Sequence, residues 1–140
     1  MPNDLSPENQ LCFPLYACAK GVVSKYTPFL AEIDLTYTQY IAMMVIWEKG
    51  EVNVKTLGSA LLLDSGTLTP LLKKLQDKGL IRRERSPDDE RNLAITLTDK
   101  GRDLKKKAEK IPSKIAKCIE IAPEDARRLH EILHRLMATL

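Results

Sequence analysis

The stretch from Asp64 to Leu97 reads DSGTLTPLLKKLQDKGLIRRERSPDDERNLAITL and changes its apolar period part-way along. Its first half repeats leucine at the spacing of one helix face, and Gly79 ends that pattern. The runs 80–85 and 93–97 are short, carry β-branched and apolar residues, and are typical of strands. The polar segment 86–92 between them predicts a hairpin with a long tip.

Upstream of this stretch, the sequence marks two helix starts. Residues 36–39, Thr-Tyr-Thr-Gln, have the spacing of a capping box, and the helix that they open is expected to run to about Lys49. Gly50 closes it. Asn53 is placed to cap a short third helix that ends at residue 61 or 62. In the fourth helix Pro70 fits best in the first turn, which favours a start near residue 66 or 67.

The two ends of the chain also predict helices. Ser6 and Pro7 indicate a helix start, and Pro14 and Pro28 are expected to bend or interrupt the helix that follows. Thr98 or Asp99 caps a long basic helix towards Cys118, which Pro112 is expected to bend. A last helix begins at Pro123 and carries one apolar stripe. The stripe consists of Leu129, Ile132, Leu133, Leu136 and Leu140.

Composition and charge narrow the class of protein. The 140 residues are 44% hydrophobic and 29% charged, which is ordinary for one globular domain. No apolar run is long enough for a membrane helix, and the polar N-terminus is not a signal peptide, so we expect a cytoplasmic protein. Residues 1–64 carry four Lys/Arg and seven Asp/Glu, whereas residues 65–140 carry eighteen and twelve. The basic cluster 73–85 is suited to phosphate binding, although a solvated helix face is the simpler explanation.

The order of elements predicts the fold class, which is mainly α with a small β-hairpin wing: a winged helix-turn-helix. The fourth helix would enter the DNA major groove, and Arg91 at the hairpin tip would reach a minor groove. The outer helices are too apolar to stay uncovered on one small domain, so a dimer is expected. We predict that the DNA-binding residues are Ser65, Thr67, Thr69, Lys73, Lys74, Arg85 and Arg91.

The segments 63–75 and 79–83, with Asp89-Glu90-Arg91 and 97–101 after them, resemble those of MarR-family regulators in order and spacing. The resemblance covers nearly the whole chain. It implies one domain at 1–140 that forms a homodimer on pseudo-palindromic operator DNA. In that arrangement the dimerisation helices occupy about 1–34 and 99–140, and the DNA-binding lobe about 35–98. The family's wing aspartate and arginine fall on Asp89 and Arg91, so the resemblance implies that Asp89 also belongs to the DNA-binding residues.

The N-terminal segment resembles the organic-hydroperoxide-sensing branch of that family. Residues 10–16, Gln-Leu-Cys-Phe-Pro-Leu-Tyr, match the start of that branch, and its reactive cysteine corresponds to Cys12. Pro14 departs from the pattern. The branch's phenolic partners of the thiolate correspond to Tyr16, Tyr26 and Tyr37, of which the last two are expected to come from the partner chain. A thiolate is the nucleophile towards a peroxide, and phenols would stabilise it. The alternative is that Cys12 and the tyrosines are ordinary core residues.

The remaining cysteines and the histidines receive separate interpretations. The resemblance to two-cysteine members implies that Cys118 resolves the sulfenic acid as a disulfide between subunits, and the alternative is that Cys118 is another core thiol. Cys18 lies six residues after Cys12, on another helix face, and is expected to be a packing residue. His130 and His134 are expected to belong to the helix surface or the dimer seam, and no metal site or cofactor is predicted.

Three functions remain open at this point. The first is a repressor that releases DNA when organic peroxide oxidises Cys12, without catalytic turnover. The second is a MarR-like repressor released by a small aromatic or lipophilic ligand in the cleft between the dimer helices and the DNA-binding lobe. The third is a dimeric adaptor that binds protein, against which the basic cluster and Arg91 argue.

Overall fold

The computed structural model describes residues 5–86 and 89–140, with the backbone alone at 86 and 89–92. The chain is mainly helical with one small antiparallel sheet, so the winged helix-turn-helix class is confirmed. Within these ranges, none of the helices is long and apolar enough to cross a membrane. After a 3-10 helix at Pro7–Asn9, the elements are α1 Cys12–Ala31, α2 Tyr37–Lys49, β1 Glu51–Asn53, α3 Val54–Leu61, α4 Ser65–Asp77, β2 Ile81–Ser86, β3 Asp89–Leu97, α5 Asp99–Ala108, α6 Ile111–Cys118 and α7 Pro123–Met137.

Side-chain caps fix the starts of three central helices where the sequence predicts them. Thr36 and Gln39 form both bonds of the capping box at α2, and Gly50 ends that helix with φ at +74°. The Asn53 side chain accepts a hydrogen bond from the amide of Thr56, and Thr98 caps α5 in the same way. Each cap satisfies an amide that the first helical turn leaves without a backbone partner.

The start of α4 differs from the prediction. The helix begins at Ser65, because the Asp64 carboxylate accepts a hydrogen bond of 2.8 Å from the amide of Thr67. Pro70 therefore lies in the second turn rather than the first. Its missing N–H leaves the carbonyl of Gly66 without a helical partner, and Gly66 is exposed, so water can take that place.

The prolines of α1 are accommodated better than the sequence indicates. The 3-10 helix that begins at Pro7 ends before α1, and Pro14 is the third residue of α1. At that position a backbone N–H has no partner in the helix, so proline removes nothing. The helix also continues through Pro28 to its end at Ala31, so Pro28 does not interrupt it, and of the two predicted effects only a bend remains open.

The sheet contains one strand that the sequence analysis missed. The strand order is β1-β3-β2, and Val52 of β1 pairs with Ile95 of β3. β1 has three residues, too few to show a period. The hairpin tip is shorter than predicted, because Ser86 already pairs with Asp89 across a bulge.

The basic segment after the wing is two helices and not one bent helix. Pro112 cannot donate to the carbonyl four residues earlier, which belongs to Ala108, and Ala108 is the last residue of α5. Pro112 becomes the second residue of α6. The start of α7 at Pro123 is confirmed.

The central elements and the outer helices differ in how many of their side chains are buried. The best-buried large side chains come from the central elements: Met43, Ile46, Leu57, Leu68, Leu72, Leu75, Ile81 and Ile95. By contrast, α1 buries Leu30 alone, and α7 buries none of its residues. The outer helices therefore present apolar surface that this chain does not cover.

Candidate DNA interface and redox site

Helix α4 has one buried face and one open face. Its leucines at 68, 71, 72 and 75 pack into the core. Five of the eight side chains that we predict to bind DNA are exposed on the rest of the helix: Ser65, Thr67, Thr69, Lys73 and Lys74. These groups are hydroxyls and ammonium ions, which bind bases and phosphates. The fold thus presents these five predicted residues together on α4.

The Asp64 carboxylate accepts hydrogen bonds from the first turn of α4. The hydrogen bond from the amide of Thr67, followed by the one from its side chain, holds the pKa of Asp64 below its usual value of 3.8. Asp64 therefore stays ionised at neutral pH and keeps the helix start fixed at the surface where DNA would arrive.

The turn between α3 and α4 is tight. Leu62 adopts φ of +54°, and the amide of Leu63 donates to the carbonyl of Gly58 at 2.9 Å. A Cβ at Gly58 would lie 2.9 Å from the carbonyl oxygen of Leu63, so this position requires glycine. The close approach fixes the angle between the two helices of the helix-turn-helix.

The wing is joined to α4 by a side-chain hydrogen bond. Arg83 of β2 donates from Nε to Oε1 of Gln76. Arg85 is exposed further along β2, as a DNA contact requires. Asp89 and Arg91 belong to β3 by their backbone, and their side chains lie outside the described residues. Their role stays a prediction.

The three thiols are free and exposed in the single chain. Cys12 is the first residue of α1, and Tyr16 lies one turn later on the same side, 65% exposed. Cys118 is the last residue of α6. Cys18 is exposed as well, so it does not pack within the single chain, and its predicted role as a packing residue stays a prediction for the dimer.

Three tyrosines form a cluster where α1 meets α2. The ring centroids of Tyr26 and Tyr37 are 5.0 Å apart, and Tyr40 lies 5.7 Å from Tyr26 and 6.3 Å from Tyr37. Burial raises the pKa of Tyr26 above its usual value of 10.0, and Tyr37 adds to the effect. Burial and the two neighbouring phenols also raise the pKa of Tyr40. The cluster consequently offers protonated hydroxyl groups, which can donate to an anion.

Tyr40 was missed as a member of this cluster. It follows Tyr37 by three residues, and helical spacing alone could have placed the two on one face. Within one chain the cluster cannot contact Cys12. Tyr26 lies fourteen residues after Cys12 on α1, which corresponds to about 21 Å along the helix axis.

His130 and His134 are exposed on α7, with their Nε2 atoms 2.9 Å apart. Among residues 5–86 and 89–140, no cluster of three or more metal-ligating side chains occurs. The pair agrees with the predicted place on the helix surface.

Known regulators resemble this chain over nearly its whole length. Residues 24–108 match the family described as transcriptional regulator SarA/Rot. The organic hydroperoxide resistance transcriptional regulator of Bacillus subtilis is 45% identical over 133 residues, which is 95% of this chain and 90% of that protein. The HTH-type transcriptional regulator SarZ of Staphylococcus saprophyticus is 46% identical, over 96% and 92% respectively.

Among solved structures, AbfR of Staphylococcus epidermidis resembles the chain in three states. Reduced AbfR bound to DNA has a TM-score of 0.79 at 32% identity and covers 95% of this chain and 93% of its own. Overoxidised AbfR bound to DNA has a TM-score of 0.76 at 33% identity, with coverage of 94% and 93%. Disulfide-formed AbfR has a TM-score of 0.67 at 35% identity, with coverage of 93% and 91%.

Proposed function

Since this chain belongs to the MarR family of winged-helix, DNA-binding transcriptional regulators, we propose that it is a repressor that senses organic peroxides. It holds operator DNA while Cys12 is reduced and releases the DNA when that thiol is oxidised. Its family marks it as a regulator and not an enzyme. We place it in the cytoplasm, with the DNA that it binds.

One observation carries this proposal. The thiol of Cys12 is exposed at the start of α1, in a chain 45% identical to a regulator of organic hydroperoxide resistance. The thiolate sulfur attacks one peroxide oxygen, so that an S–O bond forms and the O–O bond breaks. The alkoxide leaves and takes up a proton as alcohol. The sulfur is left as a sulfenic acid.

The tyrosines are proposed to support the thiolate from two chains. Tyr16 approaches from the same helix, whereas the distance along α1 requires Tyr26 and Tyr37 to come from the partner subunit. The raised pKa of Tyr26 supports this role, because a protonated phenol donates a hydrogen bond to a thiolate. A homodimer therefore completes the sensing site.

Cys118 is proposed to resolve the oxidised thiol. Its sulfur attacks the sulfenic acid of Cys12 in the other chain, which forms a disulfide and releases water. Overoxidised AbfR is bound to DNA in its crystal structure, so that oxidised state is compatible with DNA binding in this relative. We therefore propose the disulfide, rather than another oxidised state of the thiol, as the form of this chain that releases DNA.

On DNA, α4 is proposed to enter the major groove. Ser65, Thr67 and Thr69 contact base edges or phosphates, while Lys73 and Lys74 contact phosphates. Arg85, Asp89 and Arg91 of the wing are proposed to contact the neighbouring backbone and minor groove. A homodimer spaces two α4 helices about one DNA turn apart, which suits a pseudo-palindromic operator.

Two cysteine variants test whether oxidation of Cys12 releases the DNA. A labelled duplex is selected from a random-sequence library with reduced protein, and its anisotropy is followed before and after one equivalent of cumene hydroperoxide. We expect the wild-type affinity to fall by about 5- to 150-fold. Cys12→Ser should bind DNA equally well before and after peroxide. Cys18→Ser is the matched control and should behave like the wild type.

The same samples on a gel without reductant test Cys118. Oxidised wild type and Cys18→Ser should run as covalent dimers, whereas Cys12→Ser and Cys118→Ser should run as single chains. Release of DNA from Cys12→Ser by peroxide would contradict the proposal. If a small phenol releases DNA from Cys12→Ser and peroxide does not, the alternative of a ligand-controlled repressor is favoured instead.

A further inference from the structure

The end of the recognition helix is bonded to the segment that carries the tyrosine cluster. Lys78, the residue that follows α4, donates from Nζ to the backbone carbonyl of Asp34 and, at 3.0 Å, to Oε1 of Gln39. The same ammonium lies 3.7 Å from Oδ1 of Asp34. One side chain thus spans from the end of α4 to the turn between α1 and α2.

The side chain of Gln39, which accepts a hydrogen bond from Lys78, is buried. It is 4% exposed, and it is the one buried amide or charged side chain in the part of the chain whose side chains are described. Its Oε1 also accepts a hydrogen bond of 3.1 Å from the amide of Thr36, so both lone pairs of the oxygen are used. If Lys78 withdrew, a buried acceptor site would lose its partner, which is energetically unfavourable.

Gln39 also belongs to residues 34–40, the sensing segment, which leads from α1 into α2 and carries two tyrosines of the cluster. It lies between Tyr37 and Tyr40, two members of the tyrosine cluster, and its side chain forms the capping box of α2. Asp34, the other partner of Lys78, adopts φ of +52° in the turn that leads from α1 to α2. A shift at the start of α2 therefore has to move or break the bonds to Lys78.

A second set of bonds fixes the end of α4 to α5. Lys100 donates from Nζ to the carbonyl of Lys78 at 2.9 Å, and the hydroxyl of Thr98 donates to the carbonyl of Gly79 at 2.6 Å. Neither of these bonds involves the sensing segment. Two lysine side chains therefore form hydrogen bonds near the end of α4: Lys78 bonds to the sensing segment, whereas Lys100 of α5 bonds to the carbonyl of Lys78.

We propose that Lys78 is a positioning residue that couples the tyrosine cluster to the recognition helix through Gln39 and Asp34. The bond network sets the angle of α4 while the start of α2 is at rest. When the surroundings of Tyr37 change, the network carries that displacement to α4. What the network transmits rests on the proposed peroxide function, but its existence as a coupling does not.

Hydrogen–deuterium exchange tests the coupling without peroxide, because linkage is reciprocal. Reduced wild type, Lys78→Met and Lys100→Met are compared with and without the duplex selected from the random library. In the wild type, DNA should slow exchange in α4 and also at the amides of residues 39–42. Lys78→Met should keep the protection of α4 and lose that at 39–42. Lys100→Met also removes one positive charge that contacts the end of α4, but not a bond to the sensing segment, so it should resemble the wild type.

Two outcomes overturn the inference. One is DNA-dependent protection of residues 39–42 that persists in Lys78→Met, and the other is its absence in the wild type. Protection of α4 by DNA in each variant shows that the variant is folded and binds. Neither outcome depends on oxidation of Cys12.

A second readout connects the coupling to the signal. The ratio of DNA dissociation constants, oxidised over reduced, should fall about two- to thirtyfold in Lys78→Met and remain unchanged in Lys100→Met. A structural role alone would weaken DNA binding in both states and leave the ratio as it is. A wild type that keeps its DNA after peroxide would contradict the proposed function, while the exchange experiment would still decide on the coupling.

Discussion

At Gly101 two parts of the backbone meet without room for a side chain. A Cβ there would overlap the carbonyl oxygen of Leu80, and the carbonyl of Gly101 itself accepts a hydrogen bond of 2.8 Å from Nε1 of Trp47. Gly101→Ala should lower the free energy of unfolding by about 1–3 kcal/mol or more, because the start of α5 must move. Urea denaturation of the reduced protein measures the change.

Gly66→Ala is the control for this substitution. The nearest atom to its new Cβ would be Oδ1 of Asp64 at 3.5 Å, an ordinary contact. Alanine within a helix is favoured over glycine by about 0.5–1 kcal/mol, so this variant should be slightly more stable than the wild type. Equal stability of the two variants would show that the close approach at Gly101 is relieved at no cost.

Asp64 gives a pH-dependent prediction. Its pKa is lowered in the folded chain by the bonds from Thr67, so it contributes stability above the unfolded value of 3.8. That contribution is lost as the pH falls from this value through the folded pKa. Asp64→Asn keeps a capping oxygen without the charge. The excess stability of the wild type over this variant should shrink as the pH drops below 3.8, as urea midpoints would reveal. A difference that is constant with pH would count against the assignment.

Single residues differ in how far the sequence identifies their partners. The caps at Thr36, Asn53 and Thr98 were predictable because a cap and its amide lie three residues apart. The bond between Lys78 and Gln39 joins residues 39 positions apart, and no local pattern indicates it. The cap of α4 was hidden by Pro70, which drew the predicted start towards residue 66 although Asp64 supplies the cap.

At the scale of elements, local rules located most helices and misjudged their limits. Pro112 was expected to bend one helix, but a proline also removes the bond to the carbonyl four residues earlier, and this ends α5 at Ala108. The strand β1 forms because Val52 pairs with Ile95 of β3 in the sheet. Such pairing depends on tertiary structure, so a segment of three residues gives no signal by itself.

The exposed face of α4 allows a test by salt dependence. Lys73 is exposed on this helix, and we expect it to contact a DNA phosphate. Lys73→Ala should reduce the slope of log K against log salt concentration by about 0.9, because one fewer counterion is released. Lys117→Ala removes an exposed lysine from α6 and should leave the slope unchanged. Anisotropy titrations at several salt concentrations give both slopes, and a change of equal size in both would indicate non-specific charge effects.

For the whole molecule, the decisive quantity is the surface that one chain leaves uncovered. The sequence indicated a dimer from its apolar outer helices, and the fold strengthens the argument. α7 buries none of its residues, while Leu129 is 46% and Ile132 is 50% exposed. The distance of Cys12 from Tyr26 along α1 points the same way, since a shared sensing site needs a second chain. A single sequence contains no geometry between chains, so how the two subunits dock could not be derived.

The last prediction therefore concerns the dimer. The wild type should have twice the mass of one chain by light scattering at micromolar concentration. Ile132→Glu places a charge on the apolar stripe of α7 and should shift the protein towards the monomer, because a buried unpaired carboxylate is strongly unfavourable. Arg127→Glu introduces the same residue on the other side of the helix and should remain dimeric. A monomer would contact only one half of each operator, so the monomeric variant should also bind DNA more weakly. A monomeric wild type, or an Ile132→Glu protein that stays dimeric, would remove the basis for a sensing site shared between chains.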